Sequence, residues 1–275
     1  MRSNCYTGYG NTGNQKYRDS KNMIVADGPI PDNLYIPSTS NLDYQFEINY
    51  LLARQKENRI YTDELVRNLP LISREHPHAA EWAIRKKSCD RLIRYLESKR
   101  NLLNILEVGC GNGWLSYQLS RIPGSKVIGS DINLTELEQA ARVFDKNSKL
   151  KFFYGDIRTG ILNDLKFDII VFAASIQYFP SLPEIMKVSL QLLHPAGEIH
   201  IIDSKLYEPA EVEAARQRSR LYYEALGMPE MAGYYYHHCI NELEPYPHRI
   251  LRNPASFLNK FSRRDPFFWI CANNV

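Results

Sequence analysis

The strongest constraint on the fold is an alternation that sets in near residue 102. Five short apolar runs follow one another, LLNILEV, KVIGSD, LKFFYGD, FDIIVFAAS and GEIHIID, most of them separated by stretches of helical period. Runs of this length, apolar on both faces and joined by helices, predict a parallel sheet covered on both sides. The linking helices carry their own signals. Leu134, Leu137, Ala141 and Phe144 repeat at helical spacing behind Asn133, with Glu136 three residues on as a capping partner. A helix from about Leu182 to Leu193 has Pro183 in its first turn.

Outside this core the pattern changes. Residues 1–40 are rich in Asn, Gly, Tyr, Ser and Pro without periodicity, which predicts an irregular arm. Residues 41–100 read as a helical cap. Its helices run from Leu42 to about Arg59, through YTDELVRN to a stop at Pro70, and from about His78 to Lys99, where Trp82, Cys89, Leu92, Ile93 and Leu96 share a stripe. Beyond Asp203 a helix is predicted from about Ala210 to Leu226, then the aromatic stretch YYYHH, then RILRNP and PFFWICAN as two strands of an antiparallel edge.

Composition limits the function classes. The chain has 34 basic and 31 acidic side chains, a net charge of +3 that gives no general attraction for nucleic acid or an anionic membrane. Five scattered cysteines without a C-x-x-C pair predict neither a disulfide framework nor a cysteine metal site, and fit a reducing compartment. The first residues lack an apolar h-region, and the longest apolar run, FDIIVFAASI, suits a strand. These features predict a cytoplasmic protein, monomer or homodimer, without a nucleic-acid partner or membrane insertion.

The segment ILEVGCGNGWL, residues 105–115, carries the chemistry. Gly109, Gly111 and Gly113 follow the first strand, where residues without Cβ let backbone N–H groups approach a ligand at a helix N-terminus. A dinucleotide fingerprint needs glycine where Trp114 stands, for close packing of helix on strand. Glu107, two residues before the first glycine, would repel a diphosphate and favour a ligand with a cationic end. Asp131 ends the second strand, where a carboxylate accepts both hydroxyls of a ribose. Asp156 ends the third, placed to accept from an adenine amino group.

Together LEVGCGNG, IGSDIN and FYGDI resemble, in order and spacing, the class I S-adenosylmethionine-dependent methyltransferases, over roughly residues 78–205. The resemblance implies an α/β, Rossmann-like doubly wound sheet of seven strands, mostly parallel with an antiparallel last strand, behind the N-terminal helical cap. It implies S-adenosyl-L-methionine as cofactor, its methionine end in the glycine loop with Glu107, Gly109, Cys110, Gly111 and Gly113. Asp131 would bind the ribose hydroxyls, Asp156 with Ile157 would flank the adenine, and Ile132 and Ala174 would be further cofactor contacts. Cys110 reads as an inert buried thiol.

The resemblance points to the small-molecule branch, similar to quinone and natural-product methyltransferases. Methyl transfer from a sulfonium is a displacement with an activated leaving group, so acceptor identity leaves little trace in these motifs. After the fourth strand, AASIQYFPSL places Gln177 and Tyr178 at the reaction chamber. YYYHH, inside a substrate-binding insertion at about 205–250 of a methyltransferase domain spanning 101–275, offers His237 or His238 as general base. Trp82, His76, Asp203 and Tyr235 are further lining candidates, with the segment around Trp82 and His76 as a lid. No metal site is predicted. Trp114 and Glu107 disfavour a nicotinamide dehydrogenase, and the lack of an acid in AASIQYF disfavours an aminopropyl transferase. A non-catalytic S-adenosylmethionine-binding or partner-binding module on the same fold stays open.

Overall fold

The computed structural model describes residues 31–37, 44–99, 102–256 and 265–274. Most of the predicted N-terminal arm lies outside them. Eight strands form one sheet in the order β1-β4-β3-β2-β5-β6-β8-β7. They are β1 (Leu34–Tyr35), β2 (Leu103–Val108), β3 (Ser125–Asp131), β4 (Leu150–Tyr154), β5 (Phe167–Ala173), β6 (Leu193–Ile202), β7 (His248–Arg252) and β8 (Trp269–Asn273). The helices are α1 (Tyr44–Lys56), α2 (Asp63–Asn68), α3 (Ala79–Glu97), α4 (Trp114–Ser120), α5 (Leu134–Val143), α6 (Leu182–Leu192) and α7 (Val212–Ala225).

β1 through β6 pair in parallel, and β8 lies antiparallel between β6 and β7. The expected mostly parallel sheet with an antiparallel last strand is therefore present, with one strand more than expected. The addition is β1, two residues that pair with Phe152 and Phe153 at the edge. A pair of residues is too short to show a period.

Both faces of the sheet are covered. On one, Ile105, Val127, Ile169 and Val171 pack with Leu92 and Leu96 of α3, Leu115 and Leu119 of α4, and Leu137 and Ala140 of α5. On the other, Leu106, Ile170, Phe172, Ile199 and Ile201 pack with Ile185, Met186 and Leu192 of α6. Neighbours along a strand thus serve opposite layers, as the pleat dictates. Asn133 caps α5 through the Glu136 N–H, as its sequence predicts, and Ser181 caps α6 through that of Glu184.

The chain moves outward from β2 through β3 to β4, then returns to add β5 on the other side of β2. Strand order reverses between β2 and β5, and a crevice opens at their carboxyl ends. Among the described residues, no helix is long and apolar enough to cross a membrane.

Candidate cofactor and acceptor site

The crevice holds a cavity lined from three strand ends. Val108, Gly109 and Gly111 come from the β2 side, Ser130, Asp131, Ile132 and Asn133 from β3, and Gly155, Asp156, Ile157 and Arg158 from β4. Ala174 and Ser175, after β5, close the floor, and Tyr178 and Phe179 continue the wall. Of the residues assigned to the cofactor from sequence, Gly109, Gly111, Asp131, Ile132, Asp156, Ile157 and Ala174 come together here.

The loop is fixed by its own backbone. Gly109 N–H and Cys110 N–H donate to the Ser130 carbonyl at 2.8 and 3.1 Å. At Gly109, with φ +74°, a Cβ would lie 2.5 Å from Ser175 Cβ, so the crossing of β2 past β5 admits only glycine. At Gly113, with φ +72°, a Cβ would meet Phe152 Cε1 at 2.6 Å and Ala140 Cβ at 2.9 Å. Gly113 therefore supplies the close helix-to-strand contact that the sequence reading denied to Trp114, and it does so outside the cavity. Trp114 turns instead toward α3, its ring edge-on to Trp82 at 5.2 Å.

Asp131 accepts from Gly111 N–H at 2.7 Å on one oxygen and from Asn133 N–H at 2.8 Å on the other. Burial pushes its carboxyl upward, opposed by these backbone donors. Each oxygen keeps a lone pair for a further donor such as a hydroxyl. Asn133 Nδ2, buried beside it, has no hydrogen-bond partner. The two Asp131 oxygens form an acceptor pair that fits the two hydroxyls of a ribose.

Asp156 departs from expectation in one respect. It is held by Arg158, whose backbone N–H and guanidinium donate to its two oxygens at 2.6 to 3.1 Å. That guanidinium stands 5.7 Å from the Phe179 ring centre and also lines the cavity.

The lid is not the segment predicted. Trp82 is buried in the core with its indole N–H on the Tyr61 hydroxyl, and His76 packs on the Tyr61 ring at 5.8 Å, both away from the cavity. The covering residues are Phe46 and Tyr50 of α1. Glu47 fixes that helix, its carboxylate accepting from Leu134 N–H at 2.7 Å and Thr135 N–H at 3.4 Å at the start of α5. Burial raises Glu47 to about 7 against the pull of these donors. An aromatic pair at i and i+4 was the only sequence trace of this cover.

Glu107 also needs correction. It sits on the Ile105 face of β2, away from Val108, and takes a hydrogen bond from Ser116 Oγ of α4. It is 2% exposed, does not line the cavity, and burial raises its carboxyl to about 8. Cys110 is likewise buried outside the cavity lining, its thiol pushed well up by burial.

The assigned bases are displaced as well. Tyr178 lines the cavity, its hydroxyl accepting from Arg54 Nη2 at 3.0 Å, its ring edge-on to Phe46, Tyr50 and Tyr235 at 5.6 to 5.8 Å. His237 and His238 do not line it. His238 Nε2–H donates to the Ile176 carbonyl at 3.2 Å; His237 Nε2 meets Ser219 Oγ at 2.8 Å, and its ring lies between Tyr207 and Tyr235. Burial lowers both imidazoles and favours their neutral forms. Gln177 is bound to the Ala174 carbonyl and to Ser204, so its amide serves the loop rather than the cavity. Asp203, with φ +53°, turns toward Ser88 of α3; burial raises it to about 6 and its Oδ1 has no hydrogen-bond partner.

One cluster outside the crevice has a metal-like composition, Glu198, His200 and Cys271. Its carboxylate is paired with Lys99 at 2.9 Å and Arg249 at 3.4 Å, and His200 Nδ1 accepts from the Trp269 indole. That acceptor role leaves the proton of the neutral ring on Nε2, so the group works as an ion-pair network fastening α3 to the sheet.

An open, doubly wound sheet with its cavity at the β2–β5 reversal, a glycine loop on one side and an acid ending the next strand defines a nucleoside-binding α/β protein. Residues 99–247, more than half the chain, match the family model described as "Methyltransferase domain". The chain belongs to the class I S-adenosylmethionine-dependent methyltransferases.

Among curated relatives, it is 30% identical over 135 residues to the mitochondrial ubiquinone biosynthesis O-methyltransferase of Dictyostelium discoideum, covering 42% of each chain. It is 26% identical over 171 residues to the demethylmenaquinone methyltransferase of Chlorobaculum tepidum, covering 58% of this chain and 67% of that one. The chain spans about half the length of the first of the curated relatives it matches. In fold it resembles the magnesium protoporphyrin IX methyltransferase of Synechocystis, with a TM-score of 0.55 and 16% identity over 84% of this chain and all of that one.

Proposed function

We propose that the chain is an S-adenosylmethionine-dependent methyltransferase acting on an oxygen, carbon or nitrogen of a small molecule. The observation that carries this reading is the convergence of the Gly109–Gly111 loop, Asp131, Asp156 and Ala174 on one cavity. When bound, the cofactor supplies an electrophilic methyl on a cationic sulfur. The chain's own work is then to hold, orient and exclude water. Asp131 and Asn133 receive the ribose, while Ile132, Ile157 and the Asp156–Arg158 pair enclose the adenine.

Phe46, Tyr50 and Tyr178 form an aromatic wall toward the acceptor. The Arg54 N–H on its oxygen leaves the Tyr178 hydroxyl proton free to point elsewhere, so Tyr178 can hydrogen-bond an acceptor heteroatom. The names of the relatives, enzymes of ubiquinone and menaquinone formation among them, support a small-molecule acceptor. α1 to α3 form the cap, residues 205–250 the acceptor-binding insertion, and the protein works as a cytoplasmic monomer or homodimer.

Calorimetry with S-adenosylmethionine and S-adenosylhomocysteine tests it. Binding at micromolar concentration is expected, and Asp131→Asn should weaken it by about 1 to 3 kcal/mol, the cost of leaving buried donors without their acceptor. Absence of binding at tens of micromolar would overturn the reading. A labelled-methyl assay over extract fractions then separates the enzyme from a binding module.

A further inference from the structure

On the far side of the Tyr178–Tyr235 ring pair lies a second cavity, between α7 and the segment that runs from Pro229 to His238. Its lining includes Arg216, Arg220, Tyr235, Tyr236, His237 and Gly233. Arg216 and Arg220 stand one turn apart on the same face of α7, about 6 Å along the axis. Neither has a strong partner. Both side chains are exposed; Arg216 is paired with Glu213 at 3.7 Å, an acid largely in solvent, and no ion pair involves Arg220 among the described residues.

Two acids also face this cavity, Glu224 and Glu242. Glu242 is engaged, accepting from Cys239 N–H at 2.6 Å with His238 Nδ1 at 3.9 Å. Glu224 follows Arg220 by one turn, so its charge is offset from the midpoint of the two guanidiniums. His237 shares the wall with these guanidiniums, and burial first, then the Arg216 charge, favour its neutral form. Tyr236 also lines this cavity, and its backbone N–H is bound to the Gln177 carbonyl at 2.7 Å, which ties the cavity to the loop that carries Tyr178.

From this arrangement we infer that the second cavity binds an oxyanion, a phosphate or carboxylate group, between Arg216 and Arg220. Two guanidiniums one turn apart suit bidentate recognition of such a group. Tyr235 belongs to this cavity and its ring touches Tyr178 of the first, so an anion bound here lies one ring layer from the aromatic wall and is assigned to the methyl acceptor. This last assignment rests on the methyltransferase reading; the anion site itself does not.

Gly233 provides a clean perturbation, because a Cβ built there meets no atom within 4 Å and its φ lies outside the left-handed region. Gly233→Leu puts a bulky side chain into the open space beside Gly233, with no clash at its Cβ. The experiment follows the His237 imidazole resonances of the full chain while inorganic phosphate, acetate or chloride is added at constant ionic strength. Saturable shifts are expected with phosphate or acetate and none with chloride, and the stronger of the two identifies the anion class. Affinity should fall at least tenfold in Arg216→Gln/Arg220→Gln and in Gly233→Leu.

S-adenosylhomocysteine affinity, measured on the same samples, should be unchanged by these substitutions. Linear shifts equal to those of chloride, or equal affinity in both variants and the unsubstituted protein, would overturn the anion site. If S-adenosylhomocysteine fails to bind while phosphate or acetate saturates, the site stands and the acceptor assignment falls.

Discussion

Glu107→Gln separates what this acid does from what its position in the sequence implies. The side chain is buried against α4 with Ser116 Oγ as its hydrogen-bond donor, and burial holds its carboxyl at about 8 instead of 4.5. The folded state therefore binds a proton that the unfolded chain releases between those two values. Stability from this group is complete below pH 4.5 and is lost as pH rises through 8. A displacement of that size is worth about 5 kcal/mol once both states are ionised. Between pH 5 and pH 8 the difference should be about 3 to 4 kcal/mol.

Glutamine keeps the acceptor for Ser116 and removes the charge. Urea unfolding at pH 5 and pH 8 should show the unsubstituted protein losing that much more stability than the variant. Glu47, Glu136 and Asp203, also raised by burial, act with the same sign in both proteins and cancel in the comparison. S-adenosylhomocysteine affinity should stay within about twofold, because the carboxylate faces away from the cavity. Parallel pH dependences would refute the burial argument, and a tenfold loss of affinity would restore the cation-holding role read from the sequence.

Gly113→Ala should cost about 2 to 4 kcal/mol by urea unfolding, since the new methyl meets the Phe152 ring and Ala140 at positive φ. A cost below about 0.5 kcal/mol would mean that α4 shifts freely on the sheet. Glu47→Ala removes two helix-start hydrogen bonds and should lower stability by about 1 to 2 kcal/mol. It should also speed S-adenosylhomocysteine release in stopped-flow measurements, and an unchanged release rate would remove α1 as the cover.

The alternation of apolar runs and helical stretches was enough to place the sheet, because strands buried on both faces leave continuous apolar runs. The Asn133 cap and the glycine loop were equally plain, each being local chemistry. What sequence left open was direction. Glu107 and Val108 are adjacent in β2, and a period of two says only that they face opposite ways; α4 arriving on the Glu107 side decides which one meets the ligand. The aromatic and histidine run at 234–238 suffered the same ambiguity, since its backbone crosses the loop of Gln177 and throws His237 and His238 to the wrong side of Tyr178. Phe46 and Tyr50 were invisible as site residues because α1 reaches the cavity from more than fifty residues upstream, through a contact with α5 that no local pattern encodes.

The placement of β8 between β6 and β7 has a consequence for biosynthesis. Until the residues of β8 leave the ribosome, β6 presents an open apolar edge at Ile199 and Ile201, and β7 has no strand to join. A chain without β8 therefore carries two unpaired edges, and exposed edges of this kind recruit other chains. Ligand present during translation can steady the β2–β5 half but cannot shield that edge. Yield from expression should then track how fast the segment from 253 to 268 is completed.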